Sequence, residues 1–244
     1  MEKYGYKYNR YNNNTKRYMY EPEVEKRPFK FKEKLKKMAI IGLIGLGLNG
    51  FWNYRLNHLH FEKYKQYNEN ASFLTRDWAT KQLFDAVRNK ESPFFIKAYL
   101  ILGANAEAVE TDDKFNILFS AVLYNNVEAL NTLLDLGVDP NMKDYFGLSA
   151  LHHAALIGNV DMISILVKHH KADVNIQDDI GMTPLMYAAL KGNIYSVKVL
   201  LNLGANPFIR DKDHKNAYEY AIDNKRIGCA RIIKKAMKTY KNKR

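Results

Sequence analysis

The segment Asp179-Ile-Gly-Met-Thr-Pro-Leu-Met-Tyr-Ala-Ala-Leu-Lys-Gly-Asn193, followed closely by Val197-Lys-Val-Leu-Leu-Asn-Leu-Gly-Ala-Asn206, decides how this chain folds. Thr183 is a good helix N-cap, because its hydroxyl accepts a bond from an orphan amide of the first turn. Pro184 takes the first helical position, where its missing N–H costs nothing. Leu185, Ala188 and Ala189 then fall on one face at helical spacing, and the small alanines let a neighbouring helix approach. Gly192 ends this helix, since a left-handed residue is needed there. Val197, Leu200 and Leu201 form the apolar face of a second helix, which Gly204 closes. The segment is a helix–turn–helix unit with a polar loop on each side.

Three further copies keep the same register. Asn116, Ser149, Thr183 and Asn216 recur at spacings of 33, 34 and 33 residues. Leu118, Leu151, Leu185 and Tyr218 stand two residues after these caps, and Ala121, Ala154, Ala188 and Ala221 stand five after them. Gly158 and Asn125 close the first helix in two other copies. Second helices are carried by Ile163, Leu166 and Val167 and by Leu130, Leu133 and Leu134; Gly137 and Gly103 sit where Gly204 does. A fixed period near 33 residues, with cap chemistry in register, predicts a stack of helical repeats and argues against a globular enzyme.

These units resemble ankyrin repeats over about residues 77–244. The resemblance rests on Asp-x-Gly-x-Thr-Pro-Leu around Thr183, on Gly147-Leu-Ser-Ala-Leu-His-His-Ala-Ala155 and on Leu133-Leu-Asp-Leu-Gly-Val-Asp-Pro-Asn141. Val167-Lys-His-His-Lys-Ala-Asp-Val-Asn175 and Leu200-Leu-Asn-Leu-Gly-Ala-Asn206 extend it. It implies an all-α, ankyrin-type α-solenoid of about five repeats, near 77–110, 111–143, 144–177, 178–210 and 211–244. Departures are visible. Only one copy keeps Thr-Pro, and Phe119 and Met186 replace the histidine that His152 supplies. The third copy has an extra residue near His169 and His170, with Lys171 where glycine is expected. The first, around Leu83 to Gly103, is degenerate and carries Pro93 between its helices. Atypical end units are expected, because an outermost repeat has one face without a neighbour.

The resemblance further implies partner binding through loop tips and the exposed side of each first helix, on the concave face. In register, these positions are Phe115, Leu123, Tyr124, Tyr145, Phe146, Leu148, Leu156, Ile157, Ile180, Met182, Leu190 and Lys191. Most are apolar or aromatic, where a purely solvated surface would be polar, and such a patch marks a binding surface. Cover by the amino-terminal segment is the alternative. The expected function is a non-catalytic protein–protein interaction module, with no cofactor, no metal and no specific nucleic acid, acting as a monomer on another protein.

Charge is unevenly spread. Of the net +12, residues 1–76 hold 16 Lys/Arg against 7 Asp/Glu, residues 77–224 hold 13 against 19, and residues 225–244 hold 9 against none. An acidic body between basic ends is unlike a uniformly basic nucleic-acid-binding domain. The basic tail reads as a solvated cap of the last repeat, with attraction to anionic lipid or nucleic acid as the alternative. The body's acidity suits a partner with basic patches around an apolar centre.

Residues 1–37 lack helical or strand period, hold six tyrosines and four asparagines in the first twenty positions, and are expected to be disordered. Residues 38–54 carry no charge and contain four glycines. As a helix they would span about 26 Å, near the lower limit for a bilayer, with Trp52 and Tyr54 at one end. A single membrane span is expected; a buried or interfacial apolar helix and a secretory signal are alternatives. Flanking charge would leave the amino terminus cytoplasmic. Residues 55–76 read as a polar helical linker. The localisation that follows is single-pass membrane, with a cytoplasmic or secreted protein as the alternative, and a membrane-surface scaffold or secreted effector with lipid-binding basic ends as the second function.

Candidate chemistry is sparse. His152/His153 and His169/His170 are adjacent pairs, hence on different faces of a helix, with no further ligand at metal spacing. The ankyrin resemblance makes His152 a structural hydrogen-bonding residue. The lone Cys229 cannot form an internal disulfide and fits a packed position. There is no phosphate-binding glycine loop and no serine elbow.

Overall fold

The computed structural model describes residues 9–11, 17–19, 73–109 and 115–241 of the chain. Two compact units divide it, residues 1–53 and 54–244. In the first, β1 (Asn9–Tyr11) pairs antiparallel with β2 (Arg17–Met19), Arg10 standing opposite Tyr18. This short ladder lies in a stretch whose sequence shows no strand period; tyrosine's preference for extended backbone favours it locally. The remainder of 1–37, the apolar stretch 38–54 and most of the 55–76 linker lie outside the described residues. Among the described residues, no helix is long and apolar enough to cross a membrane.

In the second unit, the described residues form ten helices in five pairs: α1 (Phe73–Arg88) with α2 (Pro93–Ile101), α3 (Ile117–Leu123) with α4 (Val127–Asp135), α5 (Ala150–Ile157) with α6 (Val160–Ser164), α7 (Pro184–Lys191) with α8 (Ile194–Asn202), and α9 (Ala217–Asp223) with α10 (Ile227–Lys241). α1 begins at Phe73, four residues ahead of the first repeat's expected start. First helices pack on first helices, in the order α1, α3, α5, α7, α9. Second helices do the same, α2 on α4, α6 on α8 and α8 on α10. The result is a two-layered all-α repeat stack.

Local chemistry explains each helix. Asn116 accepts from the Phe119 amide at 2.8 Å and Thr183 from the Met186 amide at 3.4 Å. Asn216 and Glu219 form a reciprocal capping box, the Glu219 carboxylate accepting from the Asn216 amide at 2.7 Å. The core is the row the period predicted. Leu118, Leu151 and Leu185 are buried, and Ala121, Ala154, Ala188 and Ala221 are wholly buried, with Leu130, Leu133, Ile163, Leu166, Val197 and Leu200 in the second layer. Cys229 is buried among them. Truncating one such leucine to alanine costs about 2–5 kcal/mol in a packed core.

Asparagines stitch neighbouring units together. Asn126 caps α4 through the Ala129 amide (3.0 Å) and donates back to the Val87 carbonyl (2.9 Å). Asn193 donates to the carbonyls of Ala155 and Leu156, and Asn159 donates to the Asn125 side chain. At the opposite end of the pairs, the Asp173 amide donates to Asn141 (2.8 Å) and the Asn206 amide to Asn175 (2.7 Å). Polar groups at the unit boundaries are thereby satisfied from one repeat to the next.

The longer third copy is absorbed at one place. After Ser164 the chain continues as a π-helical turn, Ile165–His169. The Ala172 amide then bonds the Leu166 carbonyl six residues back, where Val138 and Ala205 bond Leu133 and Leu200 five residues back. The extra residue is taken up as a wider turn, and the next unit starts in register. Lys171 adopts φ 55°, the left-handed conformation that Gly137 (92°) and Gly204 (97°) supply in the flanking copies. A side chain in this region costs about 1–2 kcal/mol, partly offset by glycine's greater freedom when unfolded. Lys171→Gly is therefore expected to raise stability by about 1 kcal/mol, seen as a higher urea midpoint at unchanged slope.

Candidate functional site: hairpin tips and the first-helix face

The loops that precede α5, α7 and α9 are each organised by one aspartate. The Asp144 carboxylate accepts from the amides of Phe146 (2.8 Å) and Leu148 (2.9 Å), Asp178 from Ile180 (3.0 Å) and Met182 (2.8 Å), and Asp211 from Asp213 (3.0 Å) and Lys215 (2.9 Å). The second carboxylate oxygen takes a bond from a ring nine residues on. His153 Nε2 lies 2.8 Å from Asp144, the Tyr187 hydroxyl donates to Asp178 at 2.7 Å, and the Tyr220 hydroxyl donates to Asp211. All three carboxylates are buried. Each therefore ties the loop tip to the first helix, so the tip is rigid and its side chains are aimed.

Sequence reasoning misses this triplet, although the signal is there. Asp144, Asp178 and Asp211 recur at spacings of 34 and 33 residues, each with His or Tyr nine positions later. What the period does not reveal is that the two ends of each nine-residue span meet.

The tips differ in what they expose. Tyr145 is 65% exposed and Ile180 39%. Phe146 is half-buried, its ring 5.5 Å from that of Tyr145 and 6.2 Å from that of Phe115. Phe115 stacks edge-on to Phe119 at 4.2 Å, and Phe119 lies 3.7 Å from the His153 ring. Tyr145 and Phe146 thus sit on a continuous aromatic ledge at the junction of the second and third units. Asp179 lies against Gly147, whose φ is +76°; a Cβ added there would stand 2.3 Å from the Asp179 carboxylate carbon. Only glycine lets adjacent tips come this close.

The sequence-predicted residues divide by burial. Ile157 is 44% exposed, and Leu123, Tyr124, Leu156, Leu190 and Lys191 are half-buried along the first-helix face. The Arg88 guanidinium lies 5.7 Å from the Tyr124 ring centroid. Phe115, Leu148 and Met182, in contrast, are interior. Leu148 and Met182 follow the tip glycines and turn back onto Asp144 and Asp178, so their side chains point into the stack. With 3%, 9% and 2% of their surface accessible, these three offer little area for direct contact and pack beneath the tips.

His152 is also interior. Its Nδ1 accepts from the Ser149 amide at 3.0 Å, so the proton sits on Nε2, which donates to the Met182 carbonyl of the next unit at 3.1 Å. Asn116 has the same role in the preceding unit, donating to the Met142 carbonyl at 3.0 Å. Burial drives the His152 pKa down to about 3, against a small opposing effect of the Met182 bond. His153 is likewise lowered, chiefly by burial, with Asp144 opposing. Burial raises the Asp178 carboxyl, and the Tyr187 hydroxyl and two amides oppose. Among the described residues, no three His, Cys, Asp or Glu side chains gather to hold a metal ion.

The family of ankyrin repeats matches this chain in three overlapping copies, over residues 83–178, 118–211 and 170–243. The chain belongs to the ankyrin repeat family. It is 35% identical over 89 residues to human SH3 and multiple ankyrin repeat domains protein 2, a match covering 36% of this chain and 5% of that protein. It is 38% identical over 50 residues to putative ankyrin repeat protein FPV223 of fowlpox virus (strain NVSL), covering 20% of this chain and 36% of that one. The chain thus spans well under half the length of either relative. Ankyrin repeats are in general protein–protein interaction modules, and these matches point to no enzymatic activity.

The two buried histidines set a pH dependence. Their folded pKa values lie below the unfolded value near 6.5, so their stabilisation is complete above that value and is lost progressively as pH falls from there toward the folded value. His152 alone is expected to remove about 2 kcal/mol between about pH 7 and pH 5, with His153 acting in the same direction. Urea midpoints across this window should fall, and His152→Gln should flatten the slope.

Proposed function

We propose that this chain is a non-catalytic protein-interaction module whose partner docks on the concave first-helix face, centred on Tyr145, Phe146 and Ile180. The supporting observation is the pairing of exposure with rigidity at Tyr145. Its ring is mostly in solvent, yet the loop beneath it is fixed by the buried Asp144 and the aromatic ledge. A large amphipathic ring held in place before binding loses little freedom on docking, and tyrosines of this kind dominate interface energetics. Ile180 at the next tip and Ile157 at the end of α5 extend the apolar area, and Leu123, Tyr124, Leu156, Leu190 and Lys191 continue it along the first-helix layer.

The partner's character follows from charge. Residues 77–224 carry 19 Asp/Glu against 13 Lys/Arg, so long-range attraction favours a protein with basic patches flanking an apolar centre.

Tyr145→Ala combined with Ile180→Ala is expected to weaken partner binding at least about tenfold, measured as recovery in a pull-down, with the circular dichroism spectrum unchanged. Tyr195, which is 74% exposed but lies on α8 in the second-helix layer, is the control: Tyr195→Ala should leave recovery intact. Equal loss from both variants would remove the concave face as the docking site.

A further inference from the structure

The last helix carries a face that the stack does not use. On α10, Cys229, Ala230 and Ile233 are buried and Ile232 and Met237 pack on the core, so the apolar side that faces the stack is engaged, while Ile227 at the start of the helix is 59% exposed. Arg231, Lys234, Lys235 and Lys238 are exposed on the other side. They run along about 10 Å of helix at one and two turns' spacing. Residues 225–244 contain nine Lys/Arg and no Asp or Glu.

Three acidic groups of the fifth unit are committed elsewhere: Glu219 pairs with Arg210 at 3.0 Å and Asp223 with Lys215 at 2.5 Å, and Asp211 serves its loop. Among the described residues, no carboxylate pairs with the four cations of α10. Lys234 lies 6.0 Å from the Tyr218 ring centroid, a contact that leaves its charge uncompensated. Arg231 with Lys235, and Lys234 with Lys238, are like-charge pairs at i,i+4, which destabilise a helix. A solvated cap needs only to be polar, and mixed charges would serve it better.

We propose that this face of α10 docks on an anionic lipid surface. The composition of the row selects that partner. Its four side chains include no aromatic ring or amide with which to stack on bases or read their edges, as nucleic-acid-binding faces do, and the adjacent Tyr218 ring is half-buried. Its one exposed apolar side chain, Ile227, stands a turn before Arg231 at the end of the row, not at a centre of the kind that anchors a protein interface. Lysine predominates, a compact point charge suited to many mobile headgroups rather than to one fixed phosphate. An anionic leaflet needs nothing beyond the charge. Because the apolar side of α10 is occupied, docking is superficial and salt-sensitive.

The test uses the full chain with vesicles of phosphatidylcholine alone or with about 30 mol% phosphatidylserine, read by flotation and by acetylation of individual lysines. Residues 1–76 are themselves basic, so the lysine footprint, not flotation, reports on α10. Lys234, Lys235 and Lys238 should be protected several-fold on the anionic vesicles, not on the neutral ones, and high salt should abolish the protection. Replacing all three by Gln should lower vesicle affinity about tenfold, whereas replacing all three by Arg should preserve it. Unchanged acetylation of these lysines on floated protein overturns the proposal. So does a Gln variant that binds as the parent does, or a footprint produced by a DNA duplex or polyglutamate and not by the vesicles.

Discussion

Burial of one repeat's apolar face by the next is the interaction on which everything else in this molecule depends. A single helix pair has leucines and alanines on a side it cannot cover for itself. The wholly buried Ala121, Ala154, Ala188 and Ala221 let the first helices approach closely, and Leu118, Leu151 and Leu185 fill the space between layers. This contact is apolar and carries little directional information. Register is supplied by polar bonds that cross the boundaries: His152 to the Met182 carbonyl, Asn126 to the Val87 carbonyl, and Asn193 to Ala155 and Leu156. Each such group is buried or nearly so, and a one-residue slip would leave it without a partner at a cost of about 1–3 kcal/mol.

The same logic turns a stack into a presenting surface. A loop of four or five residues would ordinarily be mobile. Here, Asp144, Asp178 and Asp211 each satisfy two loop amides and then hold the first helix through His153, Tyr187 or Tyr220. Tyr145 and Ile180 are thereby exposed on a scaffold with little freedom left to lose. Loop order and helix docking draw on one set of carboxylates, and the loss of Asp144 would loosen both.

Charge is arranged along the chain rather than across it. Residues 77–224 are acidic, while α10 presents the opposite sign through Arg231, Lys234, Lys235 and Lys238.

The sequence by itself determined the architecture. Cap residues at 33- and 34-residue spacing, leucine two positions on and alanine five positions on, dictate helix pairs that cover one another, because period and side-chain size are local properties. The anomalous spacing at His169–His170 was legible too, but its resolution as a π-helical turn was not, since several local distortions could absorb one residue. Only the tertiary structure decided which loop residues face solvent. Phe115, Leu148 and Met182 read as surface in register with Tyr145 and Ile180, yet they are interior: Leu148 and Met182 because buried aspartates fold their loops back, Phe115 because it packs on Phe119. Exposure is set by where the chain meets other parts of itself, and no count along the sequence contains those meetings.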